Sequence, residues 1–166
     1  MSPFRIPALL ALAAVASVAL PAAAQTASTT FQVRITITSV CTIDTPAATD
    51  VDFGSTPSTG VDIDAAGQLN VLCTPGTAYN IGLDGGQNAG PGGVTDRNMS
   101  NGAELVPYQL YSDPGRATIW GNTVGTDTVA DVGTGAVQIV PVYGRVASAN
   151  QVAGDYLDVV TATITY

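Results

Sequence analysis

The amino-acid sequence predicts an all-β sandwich made of short strands, and three observations support this fold class. No segment after residue 24 has the 3.6-residue period of an amphipathic helix. Short runs of alternating or β-branched apolar residues recur instead, separated by Gly, Pro, Asn, Asp and Ser. Two cysteines, Cys41 and Cys73, offer one covalent link within this part of the chain.

Residues 1–24 have the pattern of a secretory signal peptide. Arg5 supplies a short positive region, residues 8–20 are apolar, and the alanines at 22–24 form a small-residue cleavage site before Gln25. The apolar stretch is shorter than the roughly 20 residues that a transmembrane helix needs. The sequence therefore predicts export without membrane insertion.

The charge and composition of the exported part exclude several classes of function. Removal of Arg5 changes the formal net charge from −8 to −9, so no basic surface is expected for nucleic acid. The chain contains neither His nor Lys, which removes the usual proton shuttle and the usual activating bases for Ser or Thr. We therefore expect no enzymatic activity, no cofactor and no metal site.

The two cysteines are predicted to form a disulfide, because a lone pair in a small exported domain is normally oxidised. A metal pair or a catalytic thiol would be an alternative, but no His is present to support either. A cross-link between Cys41 and Cys73 closes a loop of about thirty residues and should add roughly 3 to 4 kcal/mol of stability.

The strands themselves are predicted from alternation and turn residues. Seven runs qualify: residues 31–38, 51–53, 67–73, 79–84, 106–111, 136–145 and 155–166. This number of short strands in a domain of this size is typical of an immunoglobulin-like sandwich.

Groups of oxygen-bearing side chains allow two other interpretations. A calcium site could be built in the Gly-rich and Asn-rich loop from Asp84, Asn88, Asp96 and Asn98, although turn chemistry explains the same residues. Paired carboxylates could serve a glycosidase, at Asp50 with Asp52 and at Asp62 with Asp64. Both pairs lie beside turn residues, so we expect them to be solvated.

Aromatic and basic side chains also have a functional and a structural interpretation. Trp120 and Tyr143 could form a platform for sugar rings, but we expect them to be core or groove aromatics. The arginines of the body are expected to form ion pairs with aspartates, namely Arg97, Arg116 and Arg145.

The first run after the signal peptide has a clean two-residue alternation. One face of the predicted strand carries only apolar side chains: Phe31, Val33, Ile35 and Ile37. The other face carries Gln32, Arg34, Thr36 and Thr38. This pattern fits an ordinary first strand buried in its own domain. It also fits a donor strand that inserts into a neighbouring subunit.

The last run, residues 155–166, alternates again, and no residues follow it to make a further strand. A surplus strand at the start and a missing strand at the end predict an incomplete immunoglobulin-like sandwich that is completed by donor-strand exchange. Such an exchange is head to tail and does not close, so its repetition produces a fibre.

Ordered motifs along nearly the whole exported chain resemble the spore coat protein U domain family, which includes the Csu-type pilins of archaic chaperone-usher systems. The motifs are TSVCTI (38–43), VDFG (51–54), NVLCTPGTAYNIGLDGG (70–86), DRNM (96–99), PYQLYSD (107–113), IWG (119–121), VYGRV (142–146) and GDYLDVVTATITY (154–166). The resemblance implies a donor-strand arm at residues 25–40 and a pilin domain at residues 41–166. It matches Cys41 and Cys73 to a family disulfide.

The resemblance also implies partners and a location. The groove that accepts the arm would be bordered by Tyr156, Val159, Ile164 and Tyr166. The partners would be identical or related pilin subunits, a periplasmic chaperone and an outer-membrane usher. The product would be a surface pilus that supports adhesion and biofilm formation. Two alternatives are a spore-coat or extracellular matrix structural protein and a carbohydrate-binding adhesin module.

Overall fold

A computed structural model describes residues 23–44 and 47–166 of the chain. Nearly all of the predicted signal peptide therefore lies outside the described residues. The chain divides into two units, Met1–Thr36 and Ile37–Tyr166. Within the described residues, no helix is long and apolar enough to cross a bilayer.

The second unit contains eight β-strands and one short 3-10 helix, Gly93–Thr95, which confirms the all-β prediction. The strands are β1 (Cys41–Ile43), β2 (Val61–Cys73), β3 (Ala78–Leu83), β4 (Arg97–Ser100), β5 (Leu105–Tyr111), β6 (Val129–Val132), β7 (Gln138–Ser148) and β8 (Ala162–Thr165). A five-stranded sheet has the order β1-β2-β7-β5-β4, and a three-stranded sheet has the order β6-β3-β8.

Antiparallel pairing fixes the register of both sheets. The long strands β2 and β7 pair from Val61 with Ser148 to Val71 with Gln138 and form the centre of the larger sheet. In the smaller sheet, β3 lies between β6 and β8, with Ile81 opposite Ile164. Strand β8 is therefore an edge strand of this sheet.

The core lies between the two sheets because the longer strands turn an apolar face inward. On β5, for example, Val106, Tyr108 and Leu110 alternate inward and are buried. The buried core residues are Cys41, Val71, Cys73, Tyr79, Ile81, Leu83, Val106, Tyr108, Leu110, Trp120, Val142 and Val146.

Five predicted runs correspond to strands, namely β2, β3, β5, β7 and β8, although β2 begins earlier and β8 is shorter than predicted. The runs at 31–38 and 51–53 form no strand, because they have no ladder of paired neighbours in this chain. Strands β1, β4 and β6 were not predicted. They have only three or four residues each, too few to show a clear alternation.

Residues 23–36 of the first unit have no assigned secondary structure, and their side chains are exposed. The apolar row predicted from alternation is strongly exposed: Phe31 84%, Val33 86%, Ile35 85% and, at the start of the second unit, Ile37 77%. Exposure of four large apolar side chains to water is unfavourable.

Candidate functional site

A groove with an apolar floor lies in the second unit, and its first cavity opens between the two sheets. It consists of two adjoining cavities of about 610 Å³ and 750 Å³, which share residues 52–54 and 156–157. The floor of the first cavity comes from both sheets and includes Leu69, Leu83, Tyr108, Leu110 and Val142. We call the segments on its two sides the first wall, residues 48–54, and the second wall, residues 156–162.

The first wall is held against β2 by a short bridge. The main chain of Thr49 exchanges hydrogen bonds with Gln68, at 3.0 Å and 3.2 Å. Beside it, a Cβ added at Gly67 would lie 2.4 Å from the carbonyl oxygen of Thr49, so only glycine allows this approach.

Beyond this bridge, the first wall alternates in the manner of a strand. Val51 and Phe53 are half-buried and pack against the core, whereas Asp50 and Asp52 are exposed. A Cβ at Gly144 of β7 would lie 2.5 Å from Val51 and 2.8 Å from Phe53. The absence of a side chain at Gly144 therefore makes room for the apolar side of the wall.

The second wall is held by hydrogen bonds to three different segments. Leu157 exchanges main-chain hydrogen bonds with Ser100 at 2.9 Å and 3.0 Å. The hydroxyl of Tyr108 donates to Asp158, and the backbone N–H of Thr161 donates to Oδ1 of Asp84 at 2.8 Å. The wall then continues into β8, whose outer edge faces away from β3.

The predicted groove residues occupy two faces of the second wall and β8. Tyr156 lines both cavities, and Ile164 packs against the core. Val159 and Tyr166 are each 58% exposed. The inward face of this segment follows a two-residue period from Tyr156 through Val160 and Ala162. This spacing was the sequence signal that could have identified Val160 and Ala162 as groove residues.

The position of the first wall at the groove could not be predicted from the sequence. The run 51–53 was predicted as a strand, but its position opposite residues 156–162 depends on contacts far apart in the chain. Phe53 also packs edge-to-face with Tyr108, with ring centroids 6.5 Å apart.

The predicted disulfide is confirmed, and it joins the first two strands of the second unit. Cys41 of β1 is bonded to Cys73 of β2, and the two residues are also paired in the sheet. Just before it, the N–H of Thr74 donates to the carbonyl oxygen of Val40 at 2.9 Å. Val40, the last residue of the predicted arm, is thus hydrogen-bonded to the residue that follows the longest strand of the larger sheet.

Two of the three predicted aspartate–arginine pairings are confirmed. Asp64 accepts hydrogen bonds from Arg145 at 2.7 Å and 2.9 Å, and Arg116 lies 3.1 Å away. The hydrogen bonds from Arg145 lower the pKa of the Asp64 carboxyl below its usual range, and the charge of Arg116 adds to this effect. The carboxylate of Asp64 is therefore a structural partner rather than half of a catalytic pair.

Arg97 differs from the prediction, because its fully buried guanidinium donates to backbone carbonyls. It contacts Asp84 at 2.7 Å, Trp120 at 2.8 Å and Leu83 at 3.1 Å. Burial lowers the pKa of Arg97, while nearby Tyr108 and acidic groups oppose that shift. The side chain joins β4 to the end of β3 and to the Trp120 segment.

The alternative ligand sites have structural explanations. Oδ1 of Asp84 accepts from the N–H of Gly86, and Asn88 donates to Asp158. No group of three or more acidic, His or Cys side chains among the described residues could hold a metal ion. The prediction that Trp120 is a core aromatic is confirmed: it is fully buried and donates to the carbonyl oxygen of Ile81 at 2.8 Å.

The fold and the groove together define a class: a disulfide-bonded, immunoglobulin-like β-sandwich of structural type. The chain belongs to the Spore Coat Protein U domain family, whose model matches residues 27–163. This is a family of structural proteins rather than enzymes.

Two known proteins are similar to the chain. Protein U of Myxococcus xanthus is 34% identical over 159 residues, covering 88% of each chain. The CsuC–CsuE chaperone–tip adhesion subunit pre-assembly complex from the archaic chaperone-usher Csu pili of Acinetobacter baumannii has a chain with the same fold. That match has a TM-score of 0.59 and 19% identity, and covers 79% of this chain but only 40% of the other.

Proposed function

We propose that this protein is an exported structural subunit of a chaperone-usher surface pilus and polymerises by donor-strand exchange. The arm, residues 25–40, of one copy enters the groove of the next copy, which is formed by its domain at residues 41–166. Repetition of this head-to-tail contact builds a fibre.

The observation that carries the proposal is the exposed apolar row from Phe31 to Ile37, in a chain that also has an open apolar groove. Burial of four such side chains is worth roughly 1.5 to 3 kcal/mol each, before the cost of ordering the arm. This gain is large enough for a durable joint between subunits.

The main chain of the groove suits the same occupant. Strand β8 is an edge of its sheet, so its outer N–H and C=O groups can pair with an added strand. A strand beside β8 would place alternate side chains toward Leu69, Tyr108 and Leu110 on the floor. The apolar face of the arm would then be buried and its polar face would remain in water.

The assembly partners follow from the same physical need. A groove with an open edge favours aggregation, so a periplasmic chaperone would cover it until an outer-membrane usher brings in the next subunit. The similar Acinetobacter structure is itself a chaperone complex with a pilus subunit, which supports this proposal. The finished fibre would lie at the cell surface and support adhesion and biofilm formation.

A matched pair of arm variants tests the function. Ile35→Asp would bury an unpaired charge in the groove, and we expect cells that produce the chaperone and usher to form no fibres. Thr36→Asp places the same charge on the opposite face of the arm and should leave fibres visible by electron microscopy. Normal fibres from the Ile35→Asp variant would refute the proposal.

A coat or matrix role is the second candidate. It is favoured by the similarity to Protein U, which is 34% identical over a stretch that covers 88% of the chain, and by the description of the family. Chaperone and usher genes beside this gene, and thin fibres on cells that express it, would favour the pilus. A continuous surface layer formed without those genes would favour the coat role.

A further inference from the structure

The apolar row of the arm does not by itself fix how far the arm slides into a groove. Phe31, Val33, Ile35 and Ile37 are all large and apolar, so a slip of two residues keeps three of the four inward positions apolar. Such a slip moves the strand by only about 7 Å. The apolar row therefore favours one register only in part, and a contact between charges can strengthen that preference.

The first wall of the groove carries such a feature on its outer face. Asp50 and Asp52 are exposed and alternate with the inward-facing Val51 and Phe53. On the second wall the exposed residues Val159 and Thr161 are uncharged, and the half-buried carboxylate of Asp158 accepts the hydrogen bond from the Tyr108 hydroxyl. Of the two walls, only the first therefore has exposed carboxylates.

The arm carries one matching charge. Arg34 is the only charged residue between residues 23 and 43, and it alternates with Val33 and Ile35. When the apolar face of the arm points into a groove, Arg34 points outward, as Asp50 and Asp52 do. Opposite charges on the same face of neighbouring strands attract each other.

The arginines of the body are engaged elsewhere. Arg97 is buried against carbonyl groups, and both ion pairs among the described residues join Arg116 or Arg145 to Asp64. None of these side chains lines either cavity of the groove. The arm is thus the natural source of a cation for this rim.

We infer that Arg34 of one copy pairs with Asp50 and Asp52 of the next copy and thereby sets the register of the inserted arm. This inference rests on the proposed function. A slip of two residues toward either end leaves Arg34 beside at most one of the two carboxylates. The apolar face supplies affinity, and the ion pair selects one position.

The test measures binding of a fluorescent peptide with the sequence of residues 28–38 to the full chain from Gln25 to Tyr166. At low salt, the Arg34→Gln peptide should bind about fivefold more weakly than the wild-type peptide, and the Arg34→Glu peptide more weakly again. Salt near 1 M should remove most of the difference. A photo-reactive group at position 31 should cross-link to one site with the wild-type peptide and to two or more sites with Arg34→Gln.

Paired substitutions in the body locate the partner. In a chain with Asp50→Asn and Asp52→Asn, the wild-type and Arg34→Gln peptides should bind with equal affinity, because the amides keep a hydrogen-bond acceptor but lose the charge. The exposed Glu104 lies outside the groove lining, so Glu104→Gln is the matched control and should keep the penalty.

The outcomes separate this inference from the proposed function. Equal affinity and a single cross-linking site for the wild-type and Arg34→Gln peptides would overturn the register role while leaving strand exchange intact. Failure of every peptide to bind, together with absence of fibres, would overturn both.

Discussion

The hydroxyl of Tyr108 donates a 2.7 Å hydrogen bond to Oδ2 of Asp158 and so joins the floor of the groove to its second wall. Tyr108 belongs to the larger sheet, whereas Asp158 precedes β8 of the smaller sheet. Burial raises the pKa of Tyr108, and the hydrogen bond to Asp158 raises it further, so the hydroxyl keeps its proton at neutral pH. The bond therefore fixes the separation of the two sheets on one side of the groove.

Removal of this hydroxyl should weaken the fold. We expect Tyr108→Phe to lower the free energy of unfolding by about 1.5 to 3 kcal/mol, the usual value of a hydrogen bond to a charged group. Urea denaturation measures the change. Tyr111→Phe, on the same strand but facing the other way, is the control and should change stability by less than about 0.5 kcal/mol. Equal effects of the two variants would contradict the role of the Tyr108 bond.

The disulfide should stabilise the fold mainly because it restricts the conformations of the unfolded chain. The double variant Cys41→Ala with Cys73→Ala opens a loop between residues 32 positions apart and should lose about 3 to 4 kcal/mol. Denaturation with and without a reducing agent measures this. The reducing agent should destabilise the wild-type chain and leave the double variant unchanged. A wild-type chain that is insensitive to reduction would contradict the prediction.

Gly144 should tolerate no side chain, because Val51 and Phe53 occupy the space. Gly144→Ala should cost about 1 to 3 kcal/mol, as overpacking of a core usually does, and should displace the first wall. It should therefore weaken both stability and binding of an arm peptide. The nearest atom to a new Cβ at Gly154 is 3.3 Å away on a side chain, so Gly154→Ala is the milder control. Equal losses from both variants would be the contradictory result.

Acid should destabilise the fold through carboxylates that accept hydrogen bonds. Asp113 accepts from the N–H groups of Thr118 and Ala117, which lower its pKa below the usual 3.8. The unfolded chain therefore binds a proton at Asp113 more readily than the folded chain does. The stability that the ionised Asp113 adds to the fold is complete above about pH 5 and is lost as the pH falls through the folded-state pKa.

Thermal unfolding between pH 2 and 7 measures this effect. The melting temperature of the wild-type chain should fall steeply below about pH 4. The melting temperature of the Asp113→Asn variant should be lower than that of the wild-type chain at neutral pH and should fall less steeply as the pH decreases. An unchanged slope in that variant would contradict the assignment.

The two-residue alternation of apolar and polar residues was the reliable signal for strands. It did not predict a strand whose buried residues are polar or charged. It predicted β3 and β5, because Tyr79, Ile81 and Leu110 point inward at a two-residue period. It missed β4, because that strand begins with a fully buried arginine, Arg97. The carbonyl partners that compensate this charge come from distant segments and leave no pattern in the local sequence.

The candidate site divides in the same way. The apolar row at residues 31–37 can be recognised because it lies in one continuous run, whereas its role as a donor strand is a proposal. The second wall could be predicted in part for the same reason. The first wall could not, because residues 48–54 reach the groove only through Thr49, Gly67 and Gly144. Two glycines without side chains give no hydrophobic signal, although both are needed for the wall to pack.

The most direct measurement of the central claim is a photo-cross-link from the middle of the arm. A benzoylphenylalanine group replaces Ile35 in an isotopically light chain, which is assembled with a heavy chain of otherwise native sequence. Strand exchange predicts cross-links between light and heavy chains, at groove residues such as Leu69, Tyr156 and Val160. Cross-links only within one light chain, or to residues outside the groove, would contradict it.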